Sequence, residues 1–369
     1  MKHFWEVIFK VVGTHYLQPT TFTMANPMRN KILVTGGAGY IGSHTAVELV
    51  AAGYEPIILD NLSNSKRFIA DRVGKLIGRK VALYVEDCSD AAAVAKVFKK
   101  EGPFHGVIHF AALKSVPESV KEPLRYYKNN LGGMLTLLEA VSKYKVPYFV
   151  FSSSCTVYGQ PDRLPVRETT PLKKATSPYG ETKEICERMI ESFIQSDAKV
   201  KAVSLRYFNP IGAHPSALIG ELPLGIPQNL VPFVTQTAAG LRKELTVYGD
   251  DYSTSDGSCI RDYIHVVDLA RAHVKALAYL EKQKRSTFYD VFNVGTGRGY
   301  SVLEIIRTFE KATGVKLPYK IGPRRAGDIE KIYANVDKAE KLLGWRAQVT
   351  LAEALKSSWA WEKRLCARC

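Results

Sequence analysis

A short apolar run, Lys31-Ile32-Leu33-Val34-Thr35, passes without a break into Gly36-Gly37-Ala38-Gly39-Tyr40-Ile41-Gly42, and Ser43-His44-Thr45-Ala46-Val47-Glu48-Leu49-Val50 continues at helical spacing. By periodicity this is a buried strand, a glycine turn and a helix. Glycines at 36, 39 and 42 let the backbone turn tightly, approach a ligand closely and bring the helix against the strand. The first N–H groups of such a helix have no intrahelical partner and suit an anion such as a pyrophosphate. The next apolar run, Pro56-Ile57-Ile58-Leu59, ends in Asp60. This is about 20 residues on, where a dinucleotide-binding βαβ unit places the carboxylate that takes ribose hydroxyls. Asn61 follows where an arginine would welcome a 2′-phosphate, so the pattern predicts NAD rather than NADP.

Further strand-like runs at residues 81–85, 107–110, 148–151 and 202–207 alternate with helical stretches such as 133–140. The alternation predicts an α/β fold, a Rossmann-type doubly wound parallel sheet with a smaller α/β substrate-binding domain. Ligands of such sheets lie beyond the carboxyl ends of the strands. Asp87, Ala111-Ala112-Leu113-Lys114 and Ser152-Ser153-Ser154 would converge there. The expected division is an extension at residues 1–29, an NAD-binding domain at 30–209, a substrate domain at 210–365 and a tail at 366–369, with some chain crossing between the two domains. A chain of 369 residues with 46% hydrophobic content can build the sizeable core this needs.

The formal charge of +15 raises the question of nucleic acid, but Lys and Arg are spread along the chain rather than gathered in a stripe. A small anionic substrate accounts for the charge without a nucleic-acid partner. The six cysteines show no paired spacing in the body, which predicts free thiols and a reducing, cytoplasmic setting. The eight histidines show no metal-ligand spacing, so no metal is expected. The stretch from Phe4 to Val12 is interrupted by Glu6 and Lys10 and is too short to span a bilayer, which argues against membrane insertion. The extension is expected to be disordered; organelle targeting stays open, as does a start at Met24 or Met28. Cys366 stands fourth from the end, but Arg368 occupies a place where a prenylation box wants an aliphatic residue.

Ser177-Pro178-Tyr179-Gly180-Glu181-Thr182-Lys183 sets a tyrosine and a lysine four apart, so on a helix both project from one face. A phenol titrates near ~10, and a neighbouring ammonium together with a positively charged nicotinamide would make it a usable base near neutrality. Ser154 could donate a hydrogen bond to the same reacting oxygen.

The glycine turn, the Ser152-Ser153-Ser154 strand end and Tyr179-x-x-x-Lys183 together resemble the extended short-chain dehydrogenase/reductase family. Finer motifs resemble its UDP-galactose 4-epimerase branch. They are Asp60-Asn61-Leu62-Ser63-Asn64-Ser65, His109-Phe110-Ala111-Ala112-Leu113-Lys114, Thr156-Val157-Tyr158-Gly159, Arg206-Tyr207-Phe208-Asn209-Pro210-Ile211-Gly212-Ala213-His214-Pro215, and Arg261-Asp262-Tyr263-Ile264-His265-Val266. They fall in order, and the likeness runs from about residue 31 to 364.

The resemblance implies NAD-dependent interconversion of UDP-glucose and UDP-galactose, by oxidation at C4 to a 4-ketose, rotation of the sugar and re-reduction. It makes Tyr179 the base, Lys183 its partner at the nicotinamide ribose, and Ser154 the residue that positions the 4-oxygen. It assigns cofactor contacts to Gly36, Gly39, Tyr40, Ile41, Gly42, Asp60, Asn61, Asn64, Asp87, Cys88, Phe110, Ala111, Ala112, Lys114, Asn129, Ser154, Tyr179, Lys183 and Phe208. Substrate contacts fall on Lys114, Ser154, Thr156, Tyr179, Asn209, Asn229, Leu230, Arg261, Arg325 and Asp328, with the two arginines suited to a diphosphate. Ile332 is expected to line the hexose pocket and to disfavour N-acetylated sugars, and a homodimer is implied. Alternatives are a UDP-pentose or UDP-GlcNAc 4-epimerase of the same family, and a non-catalytic sensor of NAD and a nucleotide sugar. A 4,6-dehydratase would need acidic and basic groups just after the serine strand, where Ser154-Cys155-Thr156 supplies none.

Overall fold

The computed structural model of the chain describes residues 30–367, apart from Asp197, Ala326 and Gly327. The expectations for residues 1–29 therefore lie outside the described residues, as do residues 368 and 369 of the tail, whose first residue, Cys366, closes a helix.

The first half alternates strands and helices: β1 (Lys31–Thr35), α1 (Tyr40–Ala51), β2 (Glu55–Leu59), α2 (Arg67–Leu76), β3 (Ala82–Tyr84), α3 (Ala91–Glu101), β4 (Gly106–His109), α4 (Val116–Lys121), α5 (Pro123–Lys143), β5 (Tyr148–Ser154), α6 (Pro178–Gln195) and β6 (Lys201–Tyr207). With β11 (Phe288–Val294) the strands form one seven-stranded sheet in the order β11-β6-β5-β4-β1-β2-β3, every pair parallel. Parallel strands covered on both faces read as continuous apolar runs, and successive side chains serve opposite cores. Thus Leu33, Ile57, Val107, Phe149 and Phe151 pack against Val97, Met134 and Ile190 of α3, α5 and α6. Ile32, Val34, Ile108, Val150 and Val203 face the other way, with Leu49 of α1. The sheet is therefore the doubly wound arrangement that the alternation predicts. Its strand order reverses between β1 and β4, which opens a crevice beyond the carboxyl ends of those strands.

After β6 the chain builds a smaller unit. β7 (Asn209–Ile211) pairs in parallel with β10 (Tyr263–His265), β9 (Ile260–Arg261) lies between β12 (Tyr300–Ser301) and β14 (Lys331–Ile332), and β8 (Leu245–Tyr248) pairs with β13 (Tyr319–Gly322). Helices α7 (Leu230–Ala238), α9 (Val302–Thr313) and α10 (Leu351–Cys366) enclose a third core around Val234, Val247, Ile305, Phe309 and Leu355. A division at residue 209/210 cuts across this arrangement, because α8 (Val266–Glu281) and β11 come later in the chain yet complete the large sheet and its second face. Among the described residues no helix is long and apolar enough to cross a membrane.

Candidate active site

The glycine turn is held by its backbone and by Asp60. Gly36 donates to the Leu59 carbonyl at 2.8 Å, and Gly39 donates to Gly36 at 3.0 Å. Gly36 has φ +69°, and a Cβ there would lie 2.7 Å from the Ala111 nitrogen on the neighbouring β4 loop. A Cβ on Gly42 would lie 2.3 Å from the Gly36 carbonyl oxygen, so α1 packs against the turn only with glycine there. Gly39 caps α1 without a side-chain acceptor, so the N–H groups of Tyr40, Ile41 and Gly42 at the helix start remain for a ligand anion. Asp60 is buried at the end of β2; its carboxylate accepts from Ala38 N–H (3.0 Å), Leu62 N–H (2.9 Å) and the Ser65 hydroxyl (3.1 Å). One acid thus fixes the turn and the loop that carries Asn61 and Asn64. The Asn61 amide donates to Asp87 at 2.9 Å. Burial opposes ionisation of Asp87, but the Ser89 N–H and hydroxyl and the Asn61 amide outweigh it and hold the carboxyl below its ordinary range. Cys88 points elsewhere: its thiol packs in the core beside Gly133, and burial pushes it up to about 12.

Beyond β4, residues 110–114 form the facing wall. Asn130 fixes this loop, accepting from Leu113 N–H at 2.9 Å and donating to the Leu113 carbonyl at 3.1 Å and the Thr182 hydroxyl at 3.0 Å. The Asn129 amide in turn donates to Asn130. Phe110 contacts the His273 ring at 4.6 Å between centroids. Ala111 and Ala112 are half-buried, and Lys114 is exposed.

Tyr179 and Lys183 stand on the first turns of α6, which starts because Ser177 accepts from Gly180 N–H at 3.2 Å and Pro178 follows with its φ already helical. Both side chains are buried. Ser154, at the carboxyl end of β5, is buried with them, and its hydroxyl accepts from Thr156 N–H at 3.2 Å. Burial, and to a smaller degree Tyr207, push the phenol well above its ordinary value, while Ser154 works the other way. Lys183 Nζ donates to the Ser152 carbonyl at 2.7 Å and lies 4.9 Å above the Phe151 ring and 5.9 Å from the Tyr179 ring centroid. Burial lowers it from 10.5 to about 8. The spacing alone predicts an ammonium that lowers the phenol. Here burial outweighs that effect, because the ammonium is turned to the Ser152 carbonyl and both groups are out of water. Thr156, two residues beyond Ser154, has a buried hydroxyl without a hydrogen-bond partner.

The other side of the cleft comes from the smaller unit. Asn229 caps α7 and leads into half-buried Leu230; its amide donates to Glu221 at 2.6 Å, and Lys114 Nζ reaches the same carboxylate oxygen at 3.3 Å. Asn209 opens β7 and donates its N–H to the Asp262 carbonyl at 2.9 Å. Arg325 forks onto Asp328 at 2.6–3.2 Å, with Arg261 3.9 Å from the same carboxylate. Phe208 and Ile332 pack together with Cys155 and Tyr158. Two groups of expected residues thus meet, Lys114 with Asn229 and Arg261 with Arg325 and Asp328.

Comparison with known proteins gives the same reading. A family model described as GDP-mannose 4,6 dehydratase matches residues 33–358. The UDP-glucose 4-epimerase of Bacillus subtilis is 52% identical over 331 residues, 90% of this chain and 96% of the relative. The chain belongs to the UDP-glucose 4-epimerase family. A Stenotrophomonas maltophila UDP-glucose 4-epimerase structure with bound NAD and formylated UDP-arabinopyranose superimposes at a TM-score of 0.89, with 44% identity over 92% of this chain and all of that one. A Bifidobacterium longum UDP-glucose 4-epimerase structure in complex with NAD+ and UDP gives 0.87, with 47% identity over 91% of this chain and 98% of that one. The dehydratase named by the family model carries out a chemistry for which Ser154-Cys155-Thr156 offers no acid or base, and burial pushes the Cys155 thiol up to about 12.

Several residues that hold this epimerase site were not singled out by sequence. Arg206 and Glu187 form a buried bidentate pair behind the serine strand, and Ser153 donates to the same carboxylate at 2.5 Å. Asp262, fully buried, accepts from Thr296, Gly297 and Ala334 and so ties β10 to the strands around it. Arg206 and Asp262 lie inside the recognised motifs, which is a signal of their place though not of their partners. Asn130 and Glu221 carry no such mark.

Proposed function

We propose that this chain interconverts UDP-glucose and UDP-galactose by inverting C4 of the hexose, with a resident NAD held by the glycine turn. The observation that carries this is the burial of Tyr179, Ser154 and Lys183 together at the carboxyl end of β5, two strands along the sheet from the β1 that runs into that turn. The residues fit a dinucleotide: a Cβ at Gly36 or Gly42 would collide with backbone, α1 starts without a side-chain cap, and Asp60 is fixed at the end of β2. Gly36, Gly39, Tyr40, Ile41 and Gly42 would hold the pyrophosphate and Asp60 the ribose. Bound NAD supplies the hydride acceptor, and then the donor, that inversion at a carbon without an acidic proton requires.

The protein's own groups do the rest. Tyr179 takes the proton of the sugar 4-hydroxyl, which needs its phenol brought down from the raised value that burial imposes. A positive nicotinamide and the Lys183 ammonium act in that direction. Ser154 fixes the 4-oxygen by a hydrogen bond, and Tyr179 returns the proton after the 4-ketose has turned over. Arg261, Arg325 and Asp328 hold the UDP end, with Asn209, Asn229 and Leu230 beside it. Anchoring at the diphosphate leaves the sugar free to present either face.

The test is incubation of purified protein with UDP-galactose and no added cofactor, following UDP-glucose by chromatography beside Tyr179→Phe. Turnover by the wild type, lowered by roughly 100-fold or more in the variant, is expected. No turnover even after NAD is added sinks the reading for this sugar, and UDP-pentoses come next.

A homodimer belongs to the same proposal. Support comes from a cavity of about 990 Å³ on the outer face of α5 and α6, lined by Leu135, Leu138, Ile185, Met189 and Phe193, with Leu135 half exposed. Light scattering should give twice the chain mass, and Leu135→Arg should shift it toward the monomer. Four buried free cysteines, Cys88, Cys155, Cys186 and Cys259, support a reducing compartment.

A further inference from the structure

Glu221 precedes α7 and has no part in the chemistry above, yet it meets both walls of the cleft. Its side chain is 11% exposed. A single carboxylate oxygen, Oε1, accepts from Lys114 Nζ at 3.3 Å and from Asn229 Nδ2 at 2.6 Å. Lys114 comes from the loop after β4 in the large sheet, and Asn229 caps α7 in the smaller unit. Tyr40, at the start of α1, donates its hydroxyl to the Gly212 carbonyl at 2.6 Å and lies within the reach of the Glu221 charge. The backbone of Glu221 is fixed as well: Trp361 of α10 donates its indole N–H to the Glu221 carbonyl at 2.7 Å, and a Cβ on Gly220 would lie 2.6 Å from the Trp361 ring.

A carboxylate at the mouth of a site for a diphosphate is electrostatically unfavourable unless it does something a neutral group cannot. An ionised carboxylate only accepts, so Asn229 must turn its NH₂ toward Glu221, which fixes the direction of its carbonyl oxygen. An ammonium on a four-carbon stem is a mobile point charge until an anion holds it. Sharing one oxygen between the two donors ties the cofactor wall to the substrate wall.

We propose that Glu221 is a positioning residue that orients the Asn229 amide and the Lys114 ammonium for a bound UDP-sugar; this rests on the reading of the preceding subsection. It acts on binding through those two side chains and leaves the proton and hydride chemistry at Tyr179 alone.

The experiment compares holoenzyme carrying Glu221→Gln with the wild type. Gln keeps the shape and loses the charge, and its own NH₂ lets the Asn229 amide turn either way. The KM for UDP-galactose should rise roughly tenfold while kcat changes less than about threefold, and the Kd of UDP by calorimetry should weaken by the same factor. In a Lys114→Met/Asn229→Ala background, adding Glu221→Gln should change UDP affinity less than about twofold, since the residues it acts through are gone. An unchanged KM, a fall in kcat at constant KM, or full additivity in the triple variant overturns the proposal. If Gln at 221 compromises folding, Glu221→Asp, which withdraws the carboxylate by one methylene, gives the same comparisons. A wild type that binds UDP without turning over UDP-galactose fails the epimerase reading alone, and the calorimetry still decides the role of Glu221.

Discussion

Replacing Lys183 with methionine should make the nucleotide-free protein more stable at neutral pH while disabling it. The lysine is 3% exposed, and burial lowers it from 10.5 to about 8. At roughly 1.4 kcal/mol per pH unit, the folded chain holds the ammonium at a cost of about 3 kcal/mol. Methionine removes that cost and fills similar space, but leaves the Ser152 carbonyl, now 2.7 Å from Nζ, without its donor, a loss of about 1 kcal/mol. The net gain is about 2 kcal/mol, which should appear as a melting temperature higher by roughly 2–4 °C. The pH dependence gives the sharper test. Below pH 8 the lysine is protonated in folded and unfolded chains alike, and the whole cost is present in the wild type. Between about 8 and 10.5 the folded chain has given up its proton while the unfolded chain retains it, so wild-type stability climbs with pH and the advantage of the variant shrinks. Melting curves at pH 7, 8.5 and 10.5, with UDP-galactose turnover in parallel, read both effects. A variant that melts lower at pH 7, or a gap that does not narrow as the pH rises, would refute the reasoning.

Gly42→Ala brings a Cβ to 2.3 Å from the Gly36 carbonyl oxygen and 2.8 Å from the Gly37 Cα; neither backbone atom can yield cheaply, so the purified variant should carry little NAD by absorbance and enzymatic assay of the released nucleotide. Asp60→Asn sets an NH₂ group among three donors, Ala38 N–H, Leu62 N–H and the Ser65 hydroxyl, and should cost about 2 kcal/mol in urea unfolding and loosen the retained cofactor. Arg206→Met leaves the Glu187 carboxylate buried beside Ser153 without its guanidinium. A loss of roughly 3–5 kcal/mol is expected, partly recovered when Glu187→Leu is added; an uncorrected double variant would show that the pair is not the source.

The cofactor half of the fold could be read because its signals are local. A strand that must be apolar on both faces, a turn that admits no Cβ and an acid at the next strand end all occur within residues 31–60, and each has a single physical cause. Tyr179 and Lys183 were legible through helical spacing, since four residues on a helix put two side chains on one face. The direction of Lys183 was not legible, because the Ser152 carbonyl that draws its ammonium lies 31 residues earlier and meets it only when β5 and α6 pack. Asn130 and Glu221 were missed for the same reason. Asn130 bonds across 17 residues to Leu113 and 52 to Thr182, and Glu221 across 107 to Lys114, so no window of sequence contains the pair. The expected crossing of the chain between the two domains did not say which residues cross, and residues 266–294 return to the large sheet and its second face: an apolar strand does not announce which sheet it will join.

The seat that α10 provides sets an order of events for the newly made chain. Gly212 and Ala213, on the substrate side of the cleft, donate their N–H groups to Ser358 and Ser357, and Trp361 grips the Glu221 carbonyl. These bonds join residues 140 to 146 positions apart. At about 5–20 residues per second, synthesis of the holding residues lags that of the held ones by on the order of ten seconds. Within that interval α8 and β11 emerge and complete the large sheet and its second face, whereas the sugar-facing wall still has no backing. A nascent chain can therefore meet its dinucleotide before it can meet its substrate, and a chain halted after β11 has emerged but before residue 357 is made would carry the cofactor half without a finished cleft.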